Sequence, residues 1–488
     1  MHGRASLSSI TVVLAVATLH CSPAAGEEGT PAWSDGLPAA AAFGGPRGLV
    51  PRRAIIHVHS IYSHDACDEG AQDEAERTNE ACLARFREAL CKARVDAAFL
   101  TEHDRWLVRA DSLAEALLFR DGDTLVTRDG HPVANRVPCG TLLFAGAENV
   151  LMPVGFDSLP EGSREARRDF YDAQGPDAAD RFRRFGATVL LSHPENLTLE
   201  RVAGLDPDGL EVYNPHANFA PRHRAPQGLS RLGAFAGLVP FVLRLTSAHP
   251  DLALLAIFHA NHEAVDRWDA LLASRMVFGF GASDAHENAL PIDLADGERA
   301  DSYSRMLPWV TNVLLTSPGA GDSAGPGEAS GVAEASAPTD AEAIERALRR
   351  GRLYTVIEAW GTPSGFDFHV RGPGGIAEMG TTIEFTPGQR IVIEPPAVYR
   401  RPAALPEPEI RLRLYRIDGH GRRIVLDAGD PIDIAVPGPG AYRVEVGIVP
   451  RHLAPYLGDA AGRYLREVPW IYSNPIRLVG TGARSEDR

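Results

Sequence analysis

Residues 54–65 read AIIHVHSIYSHD, an apolar run that breaks into three histidines and an aspartate within nine positions. Residues 54–58 read as a strand. Residues two apart on a strand share a face, so His57 and His59 should emerge together at its end. His64 and Asp65 follow within a few residues. Neutral imidazole and carboxylate are ligands of divalent ions, so the stretch raises the question of a metal site.

The pattern recurs along the chain. Apolar runs at 96–104 (DAAFLTEHD), 141–149 (TLLFAGAEN), 187–195 (ATVLLSHPE), 209–214 (GLEVYN) and 276–286 (MVFGFGASDAH) alternate with helical stretches. Such alternation marks βα units around a parallel sheet or barrel. His103, Glu148 and His193 each close one of these runs, and Asp284 and His286 repeat the two-residue spacing at another. In a barrel of parallel strands such ends converge on one mouth. One histidine at a strand end is usually a satisfied structural group; five strands ending this way is a different matter. Imidazoles and carboxylates without thiolate suit Zn, Mn or Fe, and shared carboxylates let several ions sit together.

At 488 residues the chain exceeds one ordinary core, which predicts two domains. PWVTNVLLTS (308–317) adds a strand, and residues 318–340 are a low-complexity insertion. Beyond residue 363 the period changes to two. In EIRLRLYRI, Ile410, Leu412 and Leu414 alternate with Arg411, Arg413 and Arg416, and TPGQ, DGHG and PGPG supply turns. The expected fold class is therefore α/β over 51–362, followed by a small all-β sandwich-like module over 363–488 with no catalytic cluster.

Net charge is -15 and the arginines are scattered, which argues against long nucleic acid as a partner. The single lysine, Lys92, argues against Schiff-base chemistry and a P-loop. Arg4, the apolar stretch 7–19 and the small residues after it read as a signal peptide over 1–25, so the chain is expected in the periplasm or cell envelope. Cys21 stands where a bacterial lipoprotein carries its lipid anchor; cleavage near Ala24 or Ala25 is the alternative. Residues 26–50 read as a flexible tether. In an oxidising compartment Cys67, Cys82, Cys91 and Cys139 suggest up to two disulfides. Cys82 and Cys91 fall in one predicted helix (72–93), roughly 13 Å apart, so any pairing must reach to Cys67 or Cys139.

The ordered motifs HVHSIYSHD, LTEHD, GAE, SHP, GLEVYN and GASDAH resemble those of the PHP (polymerase and histidinol phosphatase) domain family, from residue 54 to about 317 and on toward 360. The resemblance implies a distorted (β/α)7 barrel holding two to three divalent ions. It implies His57, His59, Glu148 and Asp284 on the first ion, at the catalytic centre. Glu148 would bridge to a second ion that His193 also holds. His103, His286 and Asp65 would hold a third, with His64 the alternative to Asp65. The implied activity is hydrolysis of a phosphate ester (a phosphomonoester, nucleotide or short oligonucleotide) by a metal-activated hydroxide, on a small anionic substrate drawn by the cations.

Two departures from the family pattern stand out. No histidine lies between Glu148 and His193, with Met152 near the place where the family has one, so His216 becomes a candidate to complete that ion. The family's TDH is TEH here, which casts Glu102 as the outer partner of a ligand. His64, Glu102, Asp104, Asn214 and His216 are thus the supporting or substrate-contacting candidates. His259 and His262 read as surface or packing groups of a helix, and His131 and His420, in DGH turns, are assigned nothing. The competing readings are a metal-dependent hydrolase of C–N or C–O bonds, and a non-catalytic surface protein with structural metal whose β-module binds a partner left open.

Overall fold

The structure, a computed structural model, describes residues 31–33, 36–103, 107–219, 231–318 and 339–480. The expected leader with Cys21, nearly all of the low-complexity insertion, and Asp104 lie outside the described residues. The fold is mixed α/β, with one large mixed sheet and several small ones. Among the described residues no helix is long and apolar enough to cross a membrane.

Six strands form a continuous parallel ladder in the spatial order Thr188–Leu191, Gly209–Tyr213, Phe278–Ala285, Val50–Val58, Ala97–Phe99, Leu142–Phe144. Residues 54–58 are fully buried, which explains why the run is apolar on both faces rather than alternating. Leu151–Val154 meets both edges of the ladder. It pairs antiparallel with Thr188–Leu191 and touches the other edge through the Gly146–Val154 bridge. Ala54, Ile56, Phe99, Phe144, Met152, Leu190, Phe280 and Ala282 pack into one apolar cluster, while Ile55 and Val58 join another.

A bulge aims the first two histidines. Regular pleating would send His57 and His59 to the side of Ile55. His57 instead has φ 65°, and the register with Phe278–Ala285 slips between Ile56 and Val58. The slip turns Val58 away with Ile55, and His57 and His59 then turn toward the ligand cluster.

The boundary expected at residue 363 is not a break in the sheet. Leu353–Ile357 pairs with Val310–Thr316 on one side and with Val468–Ser473 on the other, and that strand pairs with Gly440–Val449. Asn474 lies 2.5 Å from Gly279 N and 2.9 Å from Gly279 O, within the Phe278–Ala285 strand. Arg443, fully buried, forms two bonds of 2.7 and 2.8 Å to Asp269 of the helix His262–Leu272. A separate four-stranded antiparallel sheet is built from Gly375–Glu378, Asp367–Gly372, Arg390–Glu394 and Ile432–Ala435.

The stretch read as a tether is also packed where it is described. Ala40 and Phe43 are buried, Trp33 donates to Asp251 at 2.8 Å, and Arg47 pairs with Asp367 and Glu378. Aromatic and apolar side chains in a Gly/Pro-rich stretch were enough to hold it down. The disulfides are Cys67–Cys82 and Cys91–Cys139, one of the two pairings that the spacing along the helix Glu80–Lys92 left open.

Candidate metal centre

The strand ends bring His57, His59, His103, Glu148, His193, Asp284 and His286 together, with Asp65 entering from a loop and His216 from the short helix Pro215–Phe219. The side chains of His57, His59 and Asp284 are nearly or wholly buried. Glu148 divides its oxygens. Its Oε1 lies 3.2 Å from His57 Nε2 and 3.5 Å from His193 Nε2. Its Oε2 lies 3.6 Å from His59 Nε2 and 3.4 Å from His103 Nδ1. Asp284 does the same, with Oδ1 3.4 and 3.3 Å from the Nε2 atoms of His57 and His59, and Oδ2 3.6 Å from His193 Nε2.

These spacings lie at or beyond the long end of the hydrogen-bond range. They match the edge of a tetrahedron around an ion with ligand bonds of about 2.0–2.1 Å, which is about 3.3–3.4 Å. Contacts on the far side of three of the rings are shorter. His57 Nδ1 lies 2.8 Å from Glu211 Oε2, His59 Nδ1 3.1 Å from Ser63 Oγ, and His286 Nδ1 2.8 Å from Asn288 Oδ1. His193 Nδ1 faces Glu195 Oε1 at 3.3 Å. A histidine that donates Nδ1–H to such a partner turns an unprotonated Nε2 inward. His57 Nε2 is buried without a hydrogen-bond partner, facing two carboxylates. Facing carboxylate oxygens, this atom calls for positive charge, a proton on Nε2 or an ion in its place.

Charge makes the same point. Glu148, Asp284, Asp65, Glu211 and Glu102 converge here, and their partners among the described residues are histidines, serines and an asparagine. Buried carboxylates at this density need compensating cations. Burial opposes charge on His57, yet Asp284, Glu148 and Glu211 raise its pKa well above the usual value; His193 is raised likewise against its burial, first by Glu211. Burial also opposes ionisation of Asp65, but the His103 hydrogen bond and the charges of His59 and His286 hold it below the usual carboxylate range. Burial lowers His286. His57, His193 and Asp284 all have left-handed backbone, with φ of 65°, 45° and 48°. Strain of this kind persists where the surroundings over-determine it, and it clusters at functional sites.

Donor sets within reach of a common ion are His57/His59/Glu148, His57/His193/Asp284, His59/Asp65/His103, His216/Asp284/His286 and His193/Glu195/Glu211. In these sets His286, expected with His103 and Asp65, falls with His216 and Asp284, and His59, expected on the first ion, also joins His103 and Asp65. Asp65 Oδ2 lies 3.1 Å from His103 Nε2, whereas His64 is exposed, its ring centroid 4.8 Å from that of His103. His216 lies 3.0 Å from Asp284 Oδ2, and Asn214 bonds both Glu211 and Asp284. Met152 is fully buried among Ile56, Phe144 and Leu190, in the apolar cluster rather than among the donors. Glu102 hydrogen-bonds serines and not a ligand ring. It is buried, with a raised pKa from that burial, and binds Ser60 and Ser63; Ser63 Oγ then meets His59 Nδ1.

Glu195 and Glu211 escaped the sequence reading. The signal for Glu211 was present: an acid in the middle of the apolar run GLEVYN, every residue of which is buried.

No protein-family model and no curated protein matches the chain. One similar solved structure is that of a two-domain protein containing predicted PHP-like metal-dependent phosphoesterase from Bacteroides vulgatus ATCC 8482. Identity is 13%, with 88% of this chain and 96% of that chain covered, and the TM-score is 0.32.

Proposed function

We propose that the chain is a metal-dependent phosphoesterase of the PHP type, its ladder and the Leu151–Val154 strand forming a distorted (β/α)7 barrel. Two to three divalent ions sit at the strand ends. His57, His59, Glu148 and Asp284 hold the first, Glu148 and His193 the second, and His59, Asp65 and His103 the third. The observation that carries this reading is the ring of Nε2–carboxylate spacings of 3.2–3.6 Å around Glu148 and Asp284. When bound, such ions lower the pKa of a coordinated water toward neutrality and neutralise charge developing on a phosphoryl group. The chain's own part is to hold the donors rigidly and to split each bridging carboxylate between two positions. His216, with its side chain 54% exposed and bonded to Asp284, stands at the edge of the site where an anionic substrate would arrive. Export through the residue 1–25 leader, with Cys21 as lipid anchor or simple cleavage, belongs to the same proposal.

The test is elemental analysis of protein produced with Zn, Mn and Fe supplied, followed by assays on p-nitrophenyl phosphate, nucleotides, amides and lactones. More than one ion per chain with phosphate-ester turnover is expected. Fewer than one ion per chain sinks the metal reading. Bound ions with turnover of amides or lactones alone would move the activity to the C–N/C–O class.

A further inference from the structure

We infer that Glu211 is a positioning residue of this centre, fixing His57 directly and Asp284 through Asn214, so that one buried carboxylate orients ligands from two strands. The inference rests on the metal reading above.

Glu211 is 1% exposed and reaches both sides of the cluster. Its Oε2 lies 2.8 Å from His57 Nδ1, a direct hydrogen bond rather than a coordination edge. Its Oε1 accepts from Asn214 Nδ2 at 2.8 Å, and the same amide nitrogen lies 3.1 Å from Asp284 Oδ2. The ion-pair partners of Glu211 among the described residues are His57 and His193, the latter at 3.6 Å. A carboxylate in this position selects the Nδ1–H form of His57, aims Nε2 at the ion and makes it a stronger donor. His57 and Asp284 are also two of the left-handed residues, whose side-chain directions the pleat does not set. The Glu211–Asn214 strut supplies the direction that regular strand geometry does not.

Glu211→Gln keeps an acceptor and the size of the side chain but removes its charge. Chelator competition with Zn should show one ion weakened about 10- to 100-fold, with the rest unchanged. Co(II)-substituted protein should show an altered visible spectrum for that ion. Metal-stripped Glu211→Gln should melt no lower than metal-stripped wild type, because a crowd of carboxylates loses one member; a purely structural role would lower it. Asn214→Ala cuts the links to Glu211 and Asp284, and with them the bonds from His216 N and Ala217 N to Asn214 Oδ1, and should weaken the same ion. Wild-type affinity for every ion in Glu211→Gln, or in Asn214→Ala if the first variant does not fold, overturns the inference. Wild type that holds no ions sinks the metal reading itself, which is a separate result.

Discussion

Asp284 faces four histidines through two oxygens, His57 and His59 on one and His193 and His216 on the other. Asp284→Asn keeps its shape and removes its charge, so at least one ion should be lost. Turnover should fall by more than the 10- to 100-fold that an outer partner typically costs. Metal content and p-nitrophenyl phosphate hydrolysis, measured on the same preparation, check this; full metal content in the variant refutes it. A different residue contributes to acid sensitivity. His452 is 4% exposed, and burial holds its imidazole at about 4, below the usual 6.5. The folded value lies below the unfolded one, so this stability is present above pH 6.5 and is lost as pH falls from 6.5 toward 4. Its full size is about 3 kcal/mol. Urea midpoints between pH 7.5 and 4.5 should fall less steeply in His452→Gln than in wild type; parallel curves would exclude His452 as the cause. The donors at strand ends were legible because each closes an apolar run. The aim of His57 was not, since a single left-handed residue leaves no trace in hydrophobic period. Met152, near the place where the family has a ligand, turns into the apolar cluster instead, because sequence distance from Glu148 is a poor guide to which side of a short strand faces the donors.

The loop between the first strand and the helix Glu80–Lys92 carries His64 and Asp65 and is pinned from several directions. Tyr303 Oη lies 2.9 Å from the carbonyl oxygens of both His59 and Ala66. Cys67 bridges to Glu287 along the backbone and to Cys82 through a disulfide, two residues from Asp65. The two disulfides should therefore separate by effect. Cys91–Cys139, with a separation of 48, closes the longer loop, and its removal should cost about 4 kcal/mol on the chain-entropy account. Cys67–Cys82, with a separation of 15, should cost about 3 kcal/mol but also loosen Asp65 and weaken the ion it shares with His103. Double Cys→Ser variants, compared by urea unfolding and by metal content, distinguish the two. Equal metal content in both variants would show that the disulfide does not hold the loop ligand. At this scale the sequence was informative: the helix spacing alone excluded a Cys82–Cys91 pair, because a covalent length is a hard constraint that composition cannot blur.

Across the whole molecule the hydrophobic period suggested a boundary that the hydrogen-bond ladder does not respect. Period two after residue 363 correctly marks antiparallel strands, but period cannot say which strand a partner belongs to. Here Val468–Ser473 pairs with Leu353–Ile357, and Asn474 reaches into the strand that ends at Asp284. Truncation after residue 362 would expose the Leu353–Ile357 edge, strip Gly279 of its Asn474 partner and leave Asp269 without Arg443. The last loss alone is severe, because removing one member of a buried ion pair typically costs about 3–5 kcal/mol. That is a large share of the roughly 5–15 kcal/mol by which a domain is stable. We therefore expect residues 51–362 expressed alone to be insoluble or unfolded and to hold no stoichiometric metal, while the full chain melts in one cooperative transition that Zn shifts upward as a whole. Arg443→Met should lower that transition without splitting it. A soluble 51–362 fragment with wild-type metal content, or two separate calorimetric transitions in the full chain of which metal moves only one, would restore the two-module organisation.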